Sequence, residues 1–170
     1  MAEGAKDDVF PDRSMALRDK FAWMIETTGW LLEPVQANLD TDPPLPPYGY
    51  TIGFEETYGF GEVCIVGLKP VAAKGLAGLV AQVLAGPTRP PLGEPFLGLY
   101  DGDQRAALLP IDVDAMAGMF AGCDAWYGER PYRMAQLVWP DPSGFLPWEP
   151  GFDPQLAGVQ LLFGDVLGPG

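Results

Sequence analysis

Tyr50 to Leu68, YTIGFEETYGFGEVCIVGL, holds two apolar runs joined by an acidic, aromatic, glycine-rich turn. In the first run Tyr48, Tyr50, Ile52 and Phe54 alternate with Gly49, Thr51 and Gly53, the period of a strand buried on one face. The opposite face is nearly bare. Its glycines permit close approach by another backbone or a ligand, and Thr51 is left as an accessible hydroxyl. Glu62 to Leu68 is an almost unbroken apolar run, as expected of a central strand covered on both sides, with Glu62 at its mouth. The turn between them, EETYGFG, is too long for a two-residue hairpin and carries Glu55, Glu56, Tyr58 and Phe60 at one sheet end.

Upstream, Ser14 is placed to cap a helix running to about Thr28, because Leu17, Phe21, Met24, Ile25 and Thr28 share one face. Residues 1–13 are polar, contain Pro11 and read as a loosely held lead-in. WLLEPV, residues 30–35, is a strand that Pro34 confines to an edge or a bulge. NLDTDPPLPP, residues 38–47, is an extended proline-rich loop, either a lip over a site or a stiff connection. Downstream, Pro70 opens a helix with Ala72, Leu76, Leu79, Val80 and Val83 inward, ending at Gly86-Pro87. Phe96–Tyr100 and Arg105–Ile111 read as a hairpin around Asp101-Gly102-Asp103. Asp112 or Asp114 then caps a short helix to about Gly122, with Met116, Met119 and Phe120 inward.

YRMAQLVW, residues 132–139, is a strand. In the PDPSGFLPWEPGFDP that follows, prolines and glycines forbid regular structure while Phe145, Trp148 and Phe152 demand burial, so this loop must wrap onto the body. VQLLF, residues 159–163, is a candidate strand to close the sheet before a short tail at 165–170. The expected fold is α+β: one domain over residues 14–164, with a mostly antiparallel sheet of about five or six strands, two or three helices and a long aromatic, proline-rich C-terminal loop. The helical connection between Val63 and Arg105 leaves room for one parallel pairing.

With 23 acidic against 10 basic residues the formal net charge is -13. That field repels phosphate backbones and anionic headgroups, so neither nucleic acid nor membrane is an expected partner. No stretch has the signature of a secretory leader or a membrane span, and the expected location is cytoplasmic. Cys64 and Cys123 are too few for a disulfide framework. Cys64 reads as a small buried hydrophobe and Cys123 as the more exposed thiol. The chain has no histidine, which removes the commonest general base and the imidazole-dependent triads and metal sites. Neither pair, Asp101 with Asp103 nor Asp112 with Asp114, continues into a calcium loop, and no glycine-rich segment is followed by the lysine of a phosphate loop. No metal centre and no cofactor is expected.

Gly29-Trp30, the YTIGF of Tyr50–Phe54, the GEVCIVGL of Gly61–Leu68 and the WPDPSGFLPWEPGFD of Trp139–Asp153 together resemble the bacterial domain of unknown function 4262 family. Trp126-Tyr127-Gly128 ahead of Gln136, and Gln160-Leu161-Leu162, are similar to the same pattern, so the likeness covers most of residues 16–164. The resemblance implies a shared fold and surface rather than a reaction. It also implies a His-Pro pair before the glutamate of the second block, where this chain has Phe60-Gly61.

The carboxylates that the resemblance singles out are Glu62, Asp141 and Glu149. If the final loop folds back over the 50–68 hairpin, they converge with Tyr50 and Thr51, and one desolvated by Trp139 or Trp148 becomes a general acid or base or an oxygen ligand. The structural reading of the same residues is that Asp141 caps a turn, Glu149 accepts backbone amides and Glu62 satisfies a strand end. Two functions follow. One is a non-catalytic interaction or regulatory module presenting Tyr58, Phe60, Trp148 and Phe152 to a protein partner or a second copy. The other is a small enzyme or small-molecule-binding protein with a carboxylate and aromatic pocket between the 50–68 hairpin and the 139–153 loop.

Overall fold

A computed structural model describes the backbone of residues 9–163 and the side chains of residues 16–163. Residues 1–8 of the expected lead-in, the tail from 164 on and the side chain of Ser14 lie outside the described residues. Helix α1 (Val9–Thr28) starts at Val9 rather than at Ser14, with Pro11 in its first turn, where a missing N–H costs no helical hydrogen bond.

Strands β1 (Leu31–Val35), β2 (Tyr48–Ile52), β3 (Glu62–Val66), β4 (Pro95–Phe96), β5 (Ala106–Ile111) and β6 (Met134–Val138) form one sheet in the order β1-β2-β3-β6-β5-β4. Neighbours are antiparallel except β3 and β6, which run parallel with Cys64 opposite Gln136. With α2 (Phe54–Tyr58), α3 (Pro70–Ala85) and α4 (Ala121–Tyr127), the fold is α+β with a mostly antiparallel sheet. Pro34 lies on edge strand β1, where its missing donor breaks no ladder.

The period of two along β3 explains how the layers form. Val63 and Ile65 face α3, packing with Leu76, Ala77, Val80 and Leu84 and with Leu108 and Leu137 of the neighbouring strands. Cys64 and Val66 face the other way, toward Phe21 of α1 and toward Phe120, Cys123 and Tyr127. β3 is therefore buried on both sides, which is why its sequence is apolar without alternation.

Several expectations are corrected by packing. The bare face of β2 is filled: a side chain at Gly49 would meet Leu32 at 3.2 Å, and Thr51 is fully buried rather than accessible. Cys123 is likewise buried, with its Sγ 3.6 Å from the carbonyl oxygen of Thr51. The EETYGFG turn contributes most of α2, a short helix. Residues 112–120 form turns and the helix comes later, at α4, because Gly118 sits at φ +86° and breaks the run. β4 ends at Phe96, and Leu99 turns instead into the core beneath α3.

VQLLF is not a strand. Two glutamine side chains take the place of a ladder: Gln160 accepts from the Trp139 amide at 2.9 Å and donates to the Trp139 carbonyl at 2.9 Å. Gln136 donates to the Leu161 carbonyl at 2.8 Å and accepts from the Phe163 amide at 2.6 Å. These contacts hold residues 159–163 against the end of β6.

Candidate functional site

Because β3 and β6 are parallel, the turn that leads into Glu62 lies at one end of the sheet and the segments leaving both strands lie at the other. A five-residue strand, roughly 13–17 Å long, separates the two. The expected residues divide between these ends, so Glu62 does not converge with Asp141 and Glu149. The four aromatics read as one surface are divided as well. Tyr58 and Phe60 pack at the edge of the core under α3, whereas Trp148 packs on the opposite sheet face against Ala107, Leu109, Val138 and Leu146. All four, Phe152 included, are half-buried.

At the first end the Glu62 carboxylate is buried and accepts four hydrogen bonds. Oε1 takes the Thr51 hydroxyl at 2.8 Å and the Phe54 amide at 3.1 Å. Oε2 takes the Gly53 amide at 3.0 Å and the Tyr127 hydroxyl at 2.5 Å. The two amides open α2, so the carboxylate also satisfies the positive end of that helix. Burial pushes the carboxyl above its usual range, against the opposing pull of the bonds from Tyr127, Thr51, Gly53 and Phe54. Tyr127 stacks on Tyr132 at 5.0 Å between centroids, and the Arg130 guanidinium lies 5.1 Å from the Tyr127 ring. Tyr50 is fully buried, and its hydroxyl accepts the Gly122 amide at 2.7 Å. Thus Glu62, Tyr50 and Thr51 form an internal joint between β2, β3, α2 and α4.

At the second end each carboxylate is also occupied. Asp141 accepts the amides of Ser143 and Phe145 on Oδ1 and that of Asp153 on Oδ2, all at 2.9 Å. Desolvation raises its carboxyl, but the amides of Phe145, Asp153 and Ser143 outweigh this and hold it below the usual range. Glu149 forms a two-pronged pair with Arg105 and accepts the Leu146 amide at 2.8 Å. The Arg105 guanidinium holds its carboxyl below the usual range. Both residues shape the loop, and no described group of three or more acidic or thiol side chains is arranged around a metal position. Trp139 donates its indole N–H to the Val66 carbonyl at 2.9 Å, bridging the C-terminal ends of β3 and β6.

Beside Trp139 lies a groove of about 530 Å³ whose walls include Leu68, Ala72, Leu76 and Leu79 on one side and Trp139 and Pro142 on the other. Tyr100, Gln104 and Asp141 are the polar residues of the lining. Ala72, Leu76 and Leu79 had the look of core residues, yet only Leu76 is buried. The signal was present in α3, PVAAKGLAGLVAQVLA, whose only polar side chains are Lys74 and Gln82. A helix packed on one sheet face needs about one apolar stripe, and this one carries two. A second cavity, about 310 Å³, lies at the opposite end between Phe60, Ile111, Tyr132 and Arg133. There Arg133 is paired with Glu55 at 2.7 Å.

No helix among the described residues is long and apolar enough to cross a membrane. Comparison with curated proteins and with solved structures returned no match. A family model, the domain of unknown function DUF4262, matches residues 24–153, from α1 through the end of the PWE block. With most of the chain covered, including both ends of the sheet, the protein belongs to the DUF4262 family.

Proposed function

We propose that the protein is a non-catalytic binding module of the bacterial cytoplasm whose ligand, a small and largely apolar molecule, lies in the groove between α3 and the loop after β6. The observation that carries this reading is a groove of about 530 Å³ whose one lining carboxylate, Asp141, has both oxygens engaged by loop amides. Its volume falls within the range of small-molecule sites, roughly 300–1,000 Å³. Its position suits a ligand too, since crevices at the carboxyl ends of parallel strands collect loops that differ in length and direction. A net charge of -13 favours neutral or cationic ligands over anions. Two buried, unpaired cysteines are in keeping with a reducing compartment.

The catalytic alternative needs a carboxylate free to exchange a proton with a bound molecule. Glu62 does not line the groove, and Asp141, which does, is engaged on both oxygens. The contact surface is accordingly assigned to the groove rather than to Tyr58, Phe60, Trp148 and Phe152, which lie at two ends of the sheet.

Ala72 is exposed and lines the groove, so Ala72→Arg covers it without removing a core contact. The neutral fluorophore phenylnaphthylamine, whose emission rises in apolar surroundings, is expected to bind the wild type. With Ala72→Arg its affinity should fall at least about tenfold, roughly 1.4 kcal/mol, with the melting temperature changed by no more than about 2 °C. Equal binding by both proteins rejects the groove as the site.

A further inference from the structure

We infer that the ligand is an apolar cation of the quaternary ammonium class, its charge drawn by the indole of Trp139 and the carboxylate of Asp141. This rests on the assignment of the groove as the binding site and narrows the chemistry of what fills it.

Among the described residues Asp141 is the one charged side chain of the lining. Loop amides occupy both of its oxygens, and neutral donors of this kind take up lone pairs without cancelling the charge. No described lysine or arginine pairs with it: Arg105 is bound to Glu149 and Arg133 to Glu55. Lys69 and Lys74 of α3 are exposed and stand outside the lining. Desolvation raises the Asp141 carboxyl, but the amides hold it below the usual range, so the charge is present at neutral pH.

The rest of the wall limits how that charge can be answered. With its N–H bound to the Val66 carbonyl, the Trp139 indole has only π surface left to offer, and such a surface attracts cations, most strongly where water is excluded. Leu68, Leu76, Leu79 and Leu156 line the same groove and suit an apolar body. An ammonium bearing hydrogens would exchange its hydrogen bonds to water for carboxylate lone pairs already taken, a cost that a fully alkylated nitrogen does not carry. Attraction between opposite charges acts over roughly 4–6 Å and needs no bare oxygen, so the burial of Asp141 is compatible with it.

The test uses the full chain and two probes of equal shape, phenyltrimethylammonium and tert-butylbenzene, competed against phenylnaphthylamine in about 0.15 M salt, where exposed charges beyond about 8 Å are screened. Apolar walls alone favour the hydrocarbon, because the cation gives up more hydration on entry. The wild type is instead expected to bind the cation at least about tenfold more tightly. Asp141→Asn keeps an acceptor for the Ser143 and Phe145 amides and removes the charge, so the ratio of the two affinities should fall at least about fivefold. Gln104 is exposed and lines the groove. Gln104→Lys therefore sets a positive charge there without touching the loop, and should lower the cation's affinity by a similar factor while leaving the hydrocarbon's within about twofold. A wild type that binds tert-butylbenzene as tightly as the cation, or more tightly, overturns the inference and leaves the groove standing. So does a preference for the cation that Asp141→Asn leaves unchanged or, should that variant not fold, one that Gln104→Lys leaves unchanged. Failure of phenylnaphthylamine to bind the wild type, or binding indifferent to Ala72→Arg, rejects the groove itself and the inference with it.

Discussion

Glu62→Ala is expected to lower stability by on the order of 4 kcal/mol, because it strands the Gly53 and Phe54 amides and the Thr51 and Tyr127 hydroxyls in the interior. In a chain of this size that is a fall in melting temperature of roughly 8–16 °C. Glu62→Gln keeps one acceptor oxygen but aims an NH₂ at groups that are themselves donors, so its cost should be smaller, about 1–3 kcal/mol. The two variants can be ranked by denaturant unfolding. An alanine variant melting within a degree or two of wild type contradicts the joint described for Glu62.

The same carboxyl fixes the direction of a pH effect. Its folded-state value is raised by burial, so the fold binds this proton more tightly than the unfolded chain does. That contribution is fully present below the unfolded value of about 4.3 and is lost as pH rises through the higher folded value. Asp141 and Glu149, held below their usual range, act oppositely: their contribution is present above the unfolded values and lost as pH falls. Only the Glu62 contribution is missing from Glu62→Gln. The stability gap between wild type and Glu62→Gln should therefore narrow as pH is raised from about 4 to 8. A gap that widens over that window assigns the wrong sign to Glu62.

The second large effect is expected at Gly67, where the chain leaves β3 at φ +91° and passes against residue 159. A methyl group there would lie 2.3 Å from the Val159 carbonyl oxygen and 2.9 Å from its carbon. Backbone atoms cannot swing aside as a side chain can. Gly67→Ala must thus displace the segment whose Gln160 holds Trp139, in addition to the roughly 1–2 kcal/mol of placing a Cβ in the left-handed region. A total of about 3 kcal/mol or more is expected, accompanied by weaker phenylnaphthylamine binding, since Leu68 and Trp139 both line the groove. Gly59→Ala provides the control. Gly59 has φ +69° but nothing within 4 Å of the added methyl, so only the strain of about 1–2 kcal/mol should appear. Equal melting of the two variants removes the packing role of Gly67.

These residues also show where sequence reasoning reaches and stops. β3 was legible because burial on both faces leaves an apolar run that few other elements produce. α3 was legible from its proline start and helical period. The structural roles of Asp141 and Glu149 follow from local turn chemistry, and Glu62 sits at a strand mouth as expected. What local pattern does not carry is direction. Nothing in EVCIV or MAQLV says that β3 and β6 run parallel, and that pairing is what separates Glu62 from Asp141 and Glu149 and Phe60 from Trp148. Strand propensity in VQLLF was equally silent on whether a backbone or the side chains of Gln136 and Gln160 would satisfy it. The groove was half visible, as a second apolar stripe on α3, but its far wall depends on how a proline-rich loop returns.

The most direct test of the groove is a residue-resolved amide correlation spectrum of isotope-labelled protein titrated with phenylnaphthylamine. The expected result is a set of shifts concentrated on Leu68, Ala72, Leu76, Leu79, Tyr100 and Trp139. Shifts concentrated instead on Phe60, Ile111, Tyr132 and Arg133 of the opposite cavity, or no saturable shifts at all, would contradict it.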